Sequence, residues 1–153
     1  MLQAIDHVNI VVADLEKSAR FYEDVLGFSR TKQVVIRGDW VSATVGLPNA
    51  AAECIYLDLP AGGTRIELLR YLEPTGVRPA DMGVPNVHGI RHIAFLVKDI
   101  DALTARLKQA GVRVFSDVQQ VPDSQVTYAG GVKKHLVYFH DPEGNLLEFC
   151  EYK

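Results

Sequence analysis

The chain has little cysteine, no marked excess of either charge and no long apolar run, and each shortage removes a class of protein. Its two cysteines, Cys54 and Cys150 among 153 residues, are too few and too far apart for a thiolate knuckle or a disulfide framework, so both read as packed thiols. A formal net charge of -3 supplies no basic field for a polyphosphate backbone, which argues against nucleic acid as a partner. No stretch approaches the ~20 apolar residues of a membrane helix. The start, Met1 to Asp6, lacks a cationic region followed by an apolar run, so a soluble, cytoplasmic protein that handles small molecules is expected. Hydrophobic residues at 48% and charged residues at 23% exclude disorder and collagen-like order, leaving one compact domain over residues 1–153.

What is present is a repeat. Ile5-Asp6-His7-Val8-Asn9-Ile10-Val11-Val12-Ala13-Asp14 aligns without a gap on Ile90-Arg91-His92-Ile93-Ala94-Phe95-Leu96-Val97-Lys98-Asp99, 85 positions later. A second echo closes each half, where Gly63-Thr64-Arg65-Ile66-Glu67-Leu68 matches Gly144-Asn145-Leu146-Leu147-Glu148-Phe149 at a spacing of 81. His7, Glu67, His92 and Glu148 thus occupy equivalent places in two modules, at about 4–72 and about 90–152. The Pro- and Gly-rich segment at about 73–89 reads as a linker.

Each module begins with a β-branched run, at 4–12 and 90–98, followed by an aspartate suited to a helix N-cap (Asp14, Asp99) and apolar residues at helical spacing. Gly27 and Gly111 suit the helix ends. Strand-like runs follow at about 28–36, 53–59 and 64–71, then at about 113–118, 134–140 and 145–151. Residues 39–52 fit either a short helix or an irregular strand. Period-two alternation sets Val8, Ile10 and Val12 against His7, Asn9 and Val11, and sets Ile66 and Leu68 against Glu67. The same alternation opposes His92 to Ile93 and Phe95, and Glu148 to Leu147 and Phe149, so all four polar residues fall on the face away from the helices.

Two imidazoles and two carboxylates suit a borderline divalent ion such as Zn²⁺, Ni²⁺, Co²⁺, Mn²⁺ or Fe²⁺. Four protein ligands leave an octahedral ion two positions for a substrate that chelates through adjacent oxygens. The ion would then act as a Lewis acid, polarising a carbonyl and stabilising the enediolate left when the neighbouring carbon loses a proton. Other polar residues have plainer readings. His88, His135 and His140 suit ordinary strand-end or loop positions, with His140 facing solvent. Arg65 shares the candidate face with Leu69, Tyr71 and Cys150 and suits either a substrate carboxylate or the solvated rim. Trp40 suits a pocket wall or the core, and Gly130-Gly131 with Lys133-Lys134 suits a connecting loop or a cationic lip.

The segments Ile5-Asp6-His7, Phe21-Tyr22-Glu23-Asp24-Val25-Leu26-Gly27-Phe28 and Asp141-Pro142-Glu143-Gly144-Asn145-Leu146-Leu147-Glu148-Phe149 resemble the vicinal oxygen chelate superfamily. That superfamily includes glyoxalase I, methylmalonyl-CoA epimerase, extradiol dioxygenases and the fosfomycin and bleomycin resistance proteins. The resemblance covers nearly the whole chain and implies an α+β fold of paired βαβββ modules forming a cup-shaped, incompletely closed mixed β-sheet with helices outside. It also implies a homodimer, and metal positions at His7, Glu67, His92 and Glu148.

The departures narrow the branch. Where glyoxalase I has its glutathione-binding arginine and asparagine, this chain has Val11 and Tyr71. Methylmalonyl-CoA epimerase resembles the chain in length and around Gly89-Ile90-Arg91-His92-Ile93-Ala94, but usually has glutamine at Glu67, and its further carboxylate base has no counterpart between Val41 and Val45. Extradiol dioxygenases map onto His7, His92 and Glu148, with Tyr138 at their active-site tyrosine; Glu67 would add a fourth ligand, and Val77 stands where they use a histidine. The expectation is therefore a metal-dependent isomerase, epimerase or lyase acting on a small molecule with vicinal oxygens, with Glu67 or Glu148 as base and Tyr138 as auxiliary donor. A single-domain extradiol-type dioxygenase and a metal-free antibiotic-binding protein are the alternatives.

Overall fold

The structure, a computed structural model, describes residues 1–125 and 131–153. The chain divides into two compact units, Met1–Pro79 and Ala80–Lys153. Both are α+β, and each is built on an open four-stranded mixed sheet.

In the first unit β1 (His7–Val11) leads into α1 (Leu15–Arg20), β2 (Ser29–Arg37), α2 (Asp39–Val45), β3 (Ala51–Asp58) and β4 (Arg65–Glu73). The sheet order is β1-β4-β3-β2, with β1 parallel to β4 and the other pairs antiparallel. Asp14 caps α1 by accepting the Lys17 N–H at 3.0 Å. The helix then widens into a π turn over Phe21–Val25, where Leu26 N–H reaches back five residues to the Phe21 carbonyl at 3.3 Å. That turn keeps both Phe21 and Tyr22 buried, and Gly27 ends it at a φ of 81°. Ile10, Val12, Leu15, Ala19, Tyr22, Ile55, Leu57, Ile66 and Leu68 are all buried. At about 1.5–3 kcal/mol for each fully buried large side chain, this apolar set is the main support of the unit.

In the second unit β5 (His92–Leu96) is followed by α3 (Ile100–Gln109), the two-residue β6 (Gln119–Gln120), a 3₁₀ turn at Asp123–Gln125, β7 (Lys134–His140) and β8 (Leu146–Tyr152). The order β5-β8-β7-β6 repeats that of the first unit, again with the first and last strands parallel. Ile100, Leu107, Val137, Phe139, Leu147 and Phe149 are buried, and the Phe139 and Phe149 rings lie 4.6 Å apart. Asp99 caps α3 through the Ala102 N–H, while Glu151 accepts the Asp99 and Ile100 N–H groups at 2.7 and 3.3 Å. Among the described residues, no helix is long and apolar enough to cross a membrane.

Several expectations need correction. The strand expected at 113–118 is reduced to one bridge, Val114 with Phe139, and the pairing resumes only at Gln119. Ser116 Oγ and Gln119 Nε2 donate to the Asp117 carbonyl at 2.7 and 2.9 Å, occupying a backbone group that sheet pairing would use. Residues 39–45 form a helix, and Trp40 stands exposed on it rather than in the core. His140 is half-buried rather than solvent-facing, packed edge-on to Phe115 and 3.3 Å from the Gly83 carbonyl. Gly130 lies outside the described residues. Lys133 pairs with Asp123, whereas Lys134 opens β7.

Two stability measurements follow. Gly83 has a φ of 75°, and a Cβ there would meet the Gly144 carbonyl oxygen at 2.1 Å, so Gly83→Ala should cost roughly 3 kcal/mol and lower Tm; an unchanged Tm would contradict this packing. The Glu151 carboxyl is held below its ordinary value of 4.5 by the hydrogen bonds from Lys153 and the Asp99 N–H. A depressed carboxyl stabilises the fold above its unfolded value and loses that contribution as pH falls through its folded value. Glu151→Gln should therefore lower Tm at neutral pH, with the gap from wild type closing as the pH is taken down below 4.5.

Candidate metal centre

Strand parity and parallel pairing build the same feature in each unit. β1 pairs with β4 so that His7 stands opposite Arg65 and Asn9 opposite Glu67, which places His7, Asn9 and Glu67 on one face of the sheet. His7 Nε2 lies 3.5 Å from Glu67 Oε2. In the second unit Ala94 stands opposite Glu148, and His92 Nε2 lies 3.2 Å from Glu148 Oε2. Ile10 and Val12 are buried while His7, Asn9, His92 and Ala94 are exposed, as the alternation requires.

The surroundings of the two pairs differ. Asp6 Oδ2 meets His7 Nδ1 at 2.7 Å, which orients the ring; the equivalent residue in the second unit is Arg91, whose Nε donates to the Ile90 carbonyl. Asn9 Nδ2 donates to Glu67 Oε2 at 2.9 Å, and the Tyr56 hydroxyl donates to Glu67 Oε1 at 2.5 Å. The hydrogen bond to Glu67 and burial push the Tyr56 phenol well above its usual range. Burial and the Glu67 carboxylate push the Cys54 thiol up to about 11. Beyond Glu67 the same face carries an apolar floor of Ala52, Cys54 and Leu69, with Val34, Ile36 and Tyr71 against it.

Glu148 is the more enclosed carboxylate, with 3% of its surface exposed. Lys134 Nζ stands 3.7 Å from its Oε1, and the Tyr138 ring lies 5.2 Å from that of His92. Burial and the Glu148 carboxylate raise the pKa values of Tyr138 and of Cys150. Burial acts to lower that of Lys134, but the Glu148 carboxylate and Tyr152 outweigh it, and the net shift is upward.

Tyr56 is not among the residues that the sequence repeat singles out. It faces Glu67 across β3 and β4 as Tyr138 faces Glu148 across β7 and β8, so both halves carry the same tyrosine–glutamate pair. The repeat held that signal, but the spacing differs by one residue between the halves. Asp6 and Asn9 were also missed. Arg65 is occupied, bonded to Asp58 at 2.6 Å and stacked over the Tyr56 ring at 4.4 Å.

The donor chemistry of each pair fits a divalent ion. Ligand atoms about 2.1 Å from one ion lie about 3.0 Å apart at a right angle and about 3.4 Å apart at the tetrahedral angle, close to the observed 3.2 and 3.5 Å. In the tautomer whose Nδ1 donates to Asp6, Nε2 faces Glu67 Oε2 as a second acceptor, an arrangement a cation would satisfy. Among the described residues, no group of three or more His, Cys, Asp or Glu side chains is arranged to hold a metal. Each unit supplies two of the four expected ligands.

The family model for the Glyoxalase/Bleomycin resistance protein/Dioxygenase superfamily matches residues 4–149. The chain belongs to this superfamily. It is 30% identical over 148 residues to a 2-epi-5-epi-valiolone epimerase of Actinomyces sp, covering 95% of this chain and 77% of that protein. It is 29% identical over 149 residues to the mitochondrial methylmalonyl-CoA epimerase of Mus musculus, covering 96% and 72%. A glyoxalase family protein from Bacillus cereus superposes with a TM-score of 0.82 at 29% identity, over 99% of this chain and 95% of that one. The superfamily's fold accounts for the repeated strand order of the two units.

The glutamate–tyrosine contact is open to spectroscopy. A phenol whose folded pKa is raised contributes stability that is complete below its unfolded value and is lost as pH rises through the folded one. Alkaline absorbance titration should therefore show a component from Tyr56 ionising later than ordinary tyrosine. Tyr56→Phe should remove that component and Glu67→Gln should bring it earlier; no change in either variant would contradict the contact.

Proposed function

We propose that the chain is a metal-dependent epimerase or isomerase that moves a proton at the carbon beside a substrate carbonyl. The observation that carries this reading is the repeated pair, one histidine and one glutamate on the same sheet face in each unit at 3.5 and 3.2 Å. Kinship with two epimerases supports it. In this reading His7, Glu67, His92 and Glu148 hold one divalent ion, which when bound supplies Lewis-acid polarisation of the substrate carbonyl.

The chain's own residues do the rest. Glu67 or Glu148, released from the ion, takes the proton as base, and the other carboxyl, likewise released and reprotonated from solvent, returns a proton to the opposite face, so that the configuration of the carbon inverts. Tyr56 and Asn9 fix the Glu67 carboxylate, and Tyr138, placed opposite Glu148, is the auxiliary donor. The apolar floor beyond Glu67 excludes water from one side of the reacting carbon. A fourth ligand at Glu67 favours this chemistry over catechol cleavage, which needs a coordination position for oxygen.

The test is solvent deuterium exchange in the Co²⁺- or Mn²⁺-loaded protein, with methylmalonyl-CoA and 2-epi-5-epi-valiolone as first substrates because the relatives act on them. Deuterium should enter the carbon next to the carbonyl, and Glu67→Gln or Glu148→Gln should slow entry by at least about 100-fold. Oxygen uptake with catechols, without exchange into any carbonyl compound, would overturn the proposal.

A further inference from the structure

Lys134 has no counterpart in the first unit. Tyr138 and Tyr56 face their glutamates in the two units, and four residues earlier on each strand stand Lys134 and Ala52. The first unit places a buried alanine there, within its apolar floor. In the second unit a lysine side chain instead runs over the sheet face, with Nζ 3.7 Å from Glu148 Oε1 and 5.8 Å from the centre of the Tyr152 ring.

This lysine is half-buried, with 27% of its side chain exposed. Its distance from Glu148 is too long for a hydrogen bond, and an ammonium has three protons to donate. Tyr152 meets one of them, and the exposed part of the ammonium is open to water or to a ligand. Were Glu148 to hold a divalent ion, the ammonium would face a like charge on that side, and an anion on its open side would be favoured.

We infer that Lys134 determines specificity by receiving a carboxylate of the substrate, so that the chain selects carbonyl compounds carrying a second, anionic group. This rests on the proposed metal chemistry but adds the substrate class. A single ammonium on this face of the second unit, without an arginine fork among the described residues there, matches one carboxylate rather than a phosphate.

Binding tests it without turnover. Calorimetric titration of the full-length Co²⁺-loaded protein would compare malonate with its mono-amide, malonamate, which keeps the chelating oxygens and loses one charge. Wild type should prefer malonate by at least about tenfold, the range of one charge-assisted hydrogen bond. Lys134→Met should reduce the preference by at least about tenfold, to what the ion alone gives a dianion, while leaving Co²⁺ uptake at least as tight, and Lys134→Arg should retain most of it.

Equal affinities of Lys134→Met and wild type for malonate, with Co²⁺ bound normally, would overturn the inference, as would tighter Lys134-dependent binding of inorganic phosphate. If wild type takes up no Co²⁺, the metal reading fails on its own, and titrating the metal-free protein still reads the lysine. Weakening of malonate binding by Lys134→Met there supports its role, and an unchanged affinity overturns it. Should the methionine variant not fold, Lys134→Gln carries the same comparison.

Discussion

Glu148 keeps only 3% of its surface exposed, and a carboxylate withdrawn that far from water must be met by donors or a cation. The chain meets it with His92 at 3.2 Å and Lys134 at 3.7 Å, each projecting from the sheet that buries it. Much of the second unit answers to that requirement. β5 and β7 flank β8, so the histidine and the lysine reach the carboxylate from opposite sides. The first unit applies the same device with different donors, where His7, Asn9 and Tyr56 surround Glu67.

The two solutions are not equivalent, and the difference bears on chemistry. Glu67 is fixed by neutral hydrogen-bond donors, beside an apolar floor that makes its neighbourhood less polar. Glu148 sits beside an ammonium. One half holds its carboxylate by geometry and the other by charge. A duplicated module that diverges in this way keeps one histidine–glutamate pair in each half while changing what surrounds it.

Much of this was legible in the sequence because strand parity is a strict rule. Once His7 and Ile10 were placed in one strand, their opposite faces followed, and the repeat extended the argument to His92, Glu67 and Glu148. The helix caps Asp14 and Asp99 were equally plain. What escaped depends on contacts between distant residues. The break in pairing near Asp117 comes with local hydrogen bonds from Ser116 and Gln119 to its carbonyl, and the closeness of Gly83 to Gly144 has no sequence signature. Tyr56 was visible in principle, but only when each glutamate is aligned with its cross-strand partner. Lys134 stood at the start of an expected strand, in a segment that suited a loop or a cationic lip, and its closeness to Glu148 was not legible because that acid lies fourteen residues away along the chain.

The proposed function requires His7 and His92 to contribute to the binding of one ion per chain. Equilibrium dialysis of Co²⁺ against the full-length wild type, His7→Ala and His92→Ala tests this most directly. The account predicts one Co²⁺ per chain in wild type, and an affinity at least about 100-fold weaker in each variant, because either substitution removes a ligand from the same site. Two independent ions, no ion, or a variant that binds as tightly as wild type would contradict it.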